Sequence, residues 1–153
     1  GVMTAGESVV VDTSVVIKWI VDEEGSDKAE LLQGADMVAP ALFRIEAGKV
    51  LRTLAAKQIL TNDRAIDLFL FLQTAPVTII DADELLERRA LDLALALEHP
   101  IYDCVYLALA ERMDRRLITA DRRFIKALSG TEHAARVLAL EALGSATPGE
   151  ARL

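Results

Sequence analysis

Val9-Val10-Val11-Asp12-Thr13-Ser14 is a short β-branched run that ends on a carboxylate and a pair of hydroxyls. Its apolarity is continuous rather than alternating. That pattern marks a strand buried on both faces, as in a parallel sheet covered by helices on each side. Outward from it, Thr13 or Ser14 is placed to cap a helix through Ile20, and Ser26 to cap another over residues 26–33. Met37-Val38 reads as a second strand, with Pro40 where a helix can begin. Phe43, Ala47, Val50 and Leu54 give residues 41–58 helical spacing. Thr61 opens a helix over 61–72. Residues 77–80 form a third strand, and Asp81 with Glu84 resembles a capping box for a helix to Leu97. Pro100 ends that helix and starts the next, 102–113. Leu117-Ile118-Thr119 is a fourth strand, 124–128 a short helix and 137–140 a last strand. This alternation predicts the α/β class: one α/β/α sandwich around a mainly parallel sheet of four or five strands. In such sheets, sites lie at the carboxyl ends of the strands.

The whole chain is consistent with that plan. Its 153 residues suit one domain, and 52% are hydrophobic, which excludes a disordered chain. Residues 1–8 read as a leader that includes a Gly1-Val2 scar ahead of Met3, 9–143 as the domain, and 144–153 as a flexible tail. The single cysteine, Cys104, excludes an internal disulfide and a thiolate zinc site; His99 and His133 are the only histidines. No run of 18 apolar residues is present and no secretory leader is recognised, so a cytoplasmic protein with no membrane contact is expected. Against 17 Lys and Arg stand 24 Asp and Glu, a net charge of −7. Nonspecific duplex binding by charge is therefore disfavoured. A nucleic-acid enzyme whose cations are metal ions is not.

Four carboxylates draw attention together. Asp12 ends the first strand and Asp121 follows the fourth by two residues. Either alone reads as a helix cap. Glu46 has Leu42, Phe43 and Val50 as helical neighbours, so it projects from an inward stripe, where an uncompensated carboxylate is costly. Asp103, in the first turn of its helix, shares a face with Tyr106, Leu107 and Ala110; the plain alternative is an acid that complements the helix dipole. Brought together, the four would repel one another and raise each other's pKa. A hard divalent cation, Mg²⁺ or Mn²⁺, is the usual resolution for carboxylate oxygens.

At these residues the sequence resembles the PIN-domain ribonucleases. The likeness runs through Val10-Val11-Asp12-Thr13-Ser14, Pro40, Phe43-Arg44-Ile45-Glu46, the stretch Tyr102-Asp103-Cys104-Val105-Tyr106-Leu107-Ala108-Leu109-Ala110, and Leu117-Ile118-Thr119-Ala120-Asp121-Arg122-Arg123-Phe124. Each motif is weak alone; four in register over residues 9–140 are specific. The size looks most like the VapC toxins of toxin–antitoxin pairs. The resemblance implies a PIN α/β/α sandwich and metal-dependent endoribonuclease activity, with Mg²⁺ or Mn²⁺ held by Asp12, Glu46, Asp103 and Asp121. It also implies that Ser14 and Thr119 orient those carboxylates. A homodimer, a VapB-type antitoxin and contact with DNA only through that antitoxin are implied as partners. The expected reaction is hydrolysis of an RNA phosphodiester to a 5′-phosphate and a 3′-hydroxyl, with one carboxylate helping to remove a proton from water.

RNA must still be attracted. Arg112, Arg115, Arg116, Arg122, Arg123 and Lys126 lie in one short window and are candidate steering residues, although for any single Arg a solvated face is the plainer reading. The helix at 61–72 carries Ile66, Leu68, Phe69, Leu70, Phe71 and Leu72, apolar nearly all round, and is expected to line a partner groove or to be a well-buried helix. Ser14, His99 and Asp103 do not read as a triad, since no nucleophile elbow accompanies Ser14. His99 reads as a helix-end residue, Cys104 as a buried thiol, and Trp19 and Phe43 as core. Alternatives are a PIN nuclease of RNA maturation, a noncatalytic PIN binding module and a receiver domain; the last lacks paired acids at its first strand.

Overall fold

The computed structural model describes residues 7–21 and 24–144. Its elements follow in order: β1 (Ser8–Val11), α1 (Thr13–Ile20), α2 (Ser26–Glu30), β2 (Asp36–Pro40), α3 (Leu42–Ala56), α4 (Asn62–Phe71), β3 (Val77–Ile80), α5 (Glu84–Leu97), α6 (Ile101–Met113), β4 (Arg116–Thr119), α7 (Arg122–Leu128) and β5 (Val137–Ala139). Five strands form one sheet in the order β3-β2-β1-β4-β5, and every neighbouring pair is parallel. The chain therefore winds outward from β1 through β2 and β3, then returns to the other side of β1 for β4 and β5. The reversal falls between β1 and β4, and a crevice opens at the carboxyl ends of two such strands.

Val9, Val10 and Val11 are all 0% exposed. Successive strand side chains point to opposite faces, so helices must cover both sides of the sheet. The unbroken buried run Cys104–Ala110 of α6 packs against β1, β2 and β4. Phe43 is core, as expected; Trp19 is partly buried and donates from Nε1 to the Ala29 carbonyl at 2.9 Å. In α4, Leu68 and the following Leu72 face inward, and Phe69 lies against Gly48 of α3, 3.3 Å from where a Cβ would stand. A side chain there would have to push the Phe69 ring back by a few tenths of an ångström. Ile66, Leu70 and Phe71 face out, so half of this helix's apolar surface is unused by the core.

Several caps differ from the sequence-based expectation. Asp12 holds the cap position of α1, with Thr13 and Ser14 already inside the helix, because their hydroxyls have partners elsewhere. Gly25, at φ 92°, precedes α2 and Ser26 is its first residue; α2 stops at Glu30. Pro40 ends β2, paired with Ile80, rather than starting a helix. Thr61 does cap α4, accepting from Arg64 N at 3.1 Å. Asp83, within the Asp81–Glu84 stretch expected to cap this helix, caps α5, accepting from Leu86 N at 2.8 Å. β1 begins at Ser8, inside the expected leader, and the tail after Gly144 lies outside the described residues, as does the scar at 1–2. Among the described residues no single helix is long and apolar enough to cross a membrane.

Candidate active site

Parallel pairing of Val11 with Ile118 brings the ends of β1 and β4 level, and Asp12 N donates to the Ile118 carbonyl at 3.3 Å. Asp12 and Thr119 therefore meet side by side. Both oxygens of the Asp12 carboxylate are held: Ser14 Oγ donates to Oδ1 and Thr119 Oγ1 donates to Oδ2. Each hydroxyl is itself fixed, since Ser14 Oγ accepts from Ala120 N at 2.9 Å and Thr119 Oγ1 accepts from Asp121 N at 3.0 Å. The two hydroxyls singled out in the sequence thus grip the carboxylate and the β4–α7 turn together.

Glu46 comes from the first half of α3. Tyr106 of α6 donates to its Oε1 at 2.6 Å, and Thr13 Oγ1 stands 2.8 Å from the Tyr106 hydroxyl and 3.3 Å from Glu46 Oε1. These contacts of Tyr106 and Thr13 with Glu46 are not visible in the sequence. In sequence Tyr106 reads as apolar helix face and Thr13 as a cap, because their contacts span 60 and 33 residues of chain. Asp103, at the start of α6, is bonded to His99 Nε2 at 2.7 Å. His99 is therefore more than a helix-end residue. It forms no triad, because Ser14 is committed to Asp12. Asp121 caps α7, accepting from Arg123 N at 3.0 Å and Phe124 N at 3.3 Å.

One open cleft of about 330 Å³ is lined by Asp12, Glu46, Asp103 and Asp121 together with Thr13, Ser14, Tyr106 and Lys49. The four acids come from four places in the chain. Their charges resist one another. Asp12 is pushed up to about 7, first by burial and then by Asp103 and Asp121, against the lowering bonds from Ser14 and Thr119. Glu46 and Asp103 are also raised, chiefly by burial; the Tyr106 and His99 bonds oppose this, while Asp103 presses on Glu46 and Asp121 on Asp103. Lys49 is the nearby cation that eases Glu46. Cys104 is fully buried and its thiol is raised to about 11, an inert core group.

In kind, this donor set fits a hard divalent cation: all oxygen, with excess negative charge that costs stability until a cation neutralises it. As the side chains stand, each carboxylate is tied to protein donors, and among the described residues no three His, Cys, Asp or Glu are grouped closely enough to hold a metal ion.

The sequence matches the PIN domain family over residues 9–128. The chain belongs to the PIN-domain family. No curated protein matches it by sequence. Solved structures share the PIN fold. A protein from Pyrobaculum aerophilum superposes with a TM-score of 0.66 at 20% identity, covering 90% of this chain and 85% of that one. A toxin–antitoxin complex from Klebsiella pneumoniae gives 0.62 at 17%, covering 86% and 97%. A VapC toxin of Mycobacterium tuberculosis that cleaves the sarcin–ricin loop gives 0.61 at 15%, covering 82% and 97%.

The PIN fold divides the basic window that the sequence presents as one patch. Arg115 and Arg116 sit at the amino end of β4, the sheet edge opposite Asp12, where they pair with Asp36 and Glu7. Arg112 is nine residues along α6 from Asp103, about 14 Å by helical rise, and is held by Asp83 through two 2.8 Å bonds. That guanidinium keeps Asp83 down at about 2. Arg122, Arg123 and Lys126 remain on the site side, exposed on α7; Arg122 pairs with Glu141 at 3.2 Å.

Proposed function

We propose that this PIN domain is the toxin of a VapBC-type toxin–antitoxin pair, a Mg²⁺- or Mn²⁺-dependent endoribonuclease. The observation that carries the reading is the convergence of Asp12, Glu46, Asp103 and Asp121 on one cleft at the strand-order reversal of a PIN sheet. The likeness to toxin structures supports the toxin assignment. A bound ion supplies Lewis acidity toward a phosphate oxygen and makes water more acidic. The chain's own residues do the rest. Ser14 and Thr119 hold Asp12 in one rotamer, Tyr106 and Thr13 hold Glu46, and His99 holds Asp103. Asp12, raised to about 7, lies near the protonation balance that suits a proton acceptor at neutral pH, and burial raises Glu46 in the same direction.

The natural partners are RNA, a VapB-type antitoxin and a second copy of the chain, in the cytoplasm. The outward Ile66, Leu70 and Phe71 of α4 supply apolar surface for a protein partner. For RNA, the exposed cations of α7 are the steering group. Arg123→Glu with Lys126→Glu is expected to weaken RNA binding about tenfold and flatten its salt dependence. Arg115→Ala, at the far edge, is expected to leave binding within about twofold in the same filter assay.

The test of the function is incubation of total bacterial RNA with the purified protein in Mg²⁺, in Mn²⁺ and in EDTA. Discrete fragments with 5′-phosphates, absent in EDTA, are expected. A folded, antitoxin-free protein that binds Mn²⁺ yet cuts nothing would move the assignment to a binding module. Cleavage that persists in EDTA would end the metal-dependent reading.

A further inference from the structure

His99 is the one histidine at the cleft's border, and the reaction scheme above gives it no more than a bond. Its surroundings define what that bond does. Its backbone is fixed between two helices: Glu98 at the end of α5 takes a left-handed conformation at φ 51°, His99 N donates to the Ala94 carbonyl at 3.1 Å, and Pro100 opens α6. The side chain is only 11% exposed. The ring packs on Phe124, centroid to centroid 4.9 Å, and Phe124 is fully buried in α7. Phe124 N in turn donates to Asp121. His99 is thus wedged between the segment that carries Asp103 and the helix that Asp121 caps.

Asp121 presses Asp103 upward, and the His99 bond is the main group that opposes this. The ring nitrogen takes one oxygen, Oδ2, at 2.7 Å. Asp103 lines the cleft, where its carboxyl lies within hydrogen-bonding reach of the Asp121 carboxyl. An Nε2–H donor is present in one neutral tautomer as well as in the charged ring.

We propose that His99 is a positioning residue for the divalent ion: its Nε2–H, braced on Phe124, fixes the Asp103 carboxylate so that one oxygen stays available to a cation. This rests on the reading of the cleft as a metal-dependent nuclease site. Outer donors to ligating carboxylates commonly set metal affinity by about 10–100-fold. A purely structural role, closing the α5–α6 corner, would depend on the ring and its packing rather than on the N–H.

The experiment separates the two. Metal-free protein is titrated with Mn²⁺, and free ion is followed by its electron paramagnetic resonance signal, for the wild type, D12N, H99F and H99Q. H99F keeps an aromatic ring for Phe124 and deletes the donor; H99Q keeps a donor and deletes the ring. The expected result is a 10–100-fold weaker Mn²⁺ affinity for H99F at an unchanged melting temperature in EDTA, with H99Q restored to within about threefold of wild type. If H99F does not fold, H99L takes its place in the same comparison. Wild-type affinity in H99F, or an H99Q as weak as H99F, overturns the proposal. Wild type and D12N binding Mn²⁺ equally poorly would instead overturn the metal-site reading, and this inference with it.

Discussion

Asp12→Asn is expected to lower RNA cleavage by about 10³-fold and to make the metal-free protein more stable. The first half follows from charge. Removing one anion from the cleft forfeits several kcal/mol of transition-state stabilisation by the ion, and about 4 kcal/mol is a factor of 10³. The second half follows from burial. Asp12 is 5% exposed and its carboxyl is held at about 7 rather than near 3.8. Between those pH values the folded state keeps a proton that the unfolded chain has lost, so stability falls as pH rises through the window and the loss is complete above about 7. At about 1.4 kcal/mol per pH unit, the ionised group costs the metal-free fold on the order of 4 kcal/mol. Asn recovers only part of that. Its amide nitrogen must find an acceptor, and the nearest groups are the hydroxyls of Ser14 and Thr119, which have to rotate. A gain of about 1–3 kcal/mol, several degrees of melting temperature, is expected at pH 8 and very little at pH 4. Thermal melts in EDTA at the two pH values check it. Adding Mn²⁺ reverses the order, because an ion that binds only the native state raises the wild type and not the variant. A D12N protein that is less stable than wild type at pH 8 would show that Asp12 is chiefly structural.

What could be read in the sequence was whatever depends on near neighbours. Val9-Val10-Val11 announces a doubly covered strand because burial on both faces demands apolar residues at consecutive positions. Glu46 stands out because three of its helical neighbours are apolar. The groups that hold these acids were not legible for the same reason. Tyr106 reaches Glu46 across 60 residues, and Thr119 reaches Asp12 across 107. Nothing local distinguishes a hydroxyl that caps a helix from one that grips a distant carboxylate. Only the family resemblance points to Thr119. The basic window failed in the opposite way. Six cations adjacent in sequence look like one patch, but β4 runs through the window and carries Arg116 and Asp121 to opposite edges of the sheet. His99 was the readable miss: His99 and Asp103 stand four apart across a proline-started helix, a spacing at which side chains meet.

Asp121→Asn and Asp121→Ala separate the two duties that the structure gives to one side chain. Asp121 caps α7 through Arg123 N and Phe124 N, and it also lines the same cleft as Asp12. Asn is as good an N-cap as Asp, whereas Ala forfeits about 1 kcal/mol. α7 has seven residues and depends on its cap and on buried Phe124 and Leu128, so the loss in Ala propagates to the whole fold. D121N is therefore expected to melt within about 1 °C of wild type or above it in EDTA, since it also relieves Asp103, while D121A melts about 2–4 °C lower. Both are expected to lose about 10²–10³ in cleavage, because both lack the charge. The informative comparison is within the pair. If D121N cleaves RNA like the wild type while D121A does not, the acid serves the reaction only by shaping the β4–α7 turn, and the ion is held by the other three carboxylates. If both are inactive and only D121A is unstable, the charge itself is used. The cap geometry then explains how a carboxylate comes to be fixed at the rim of the cleft: the backbone N–H groups of α7 bind one oxygen, Oδ1, and hold the side chain where the chain turns from β4 into the helix.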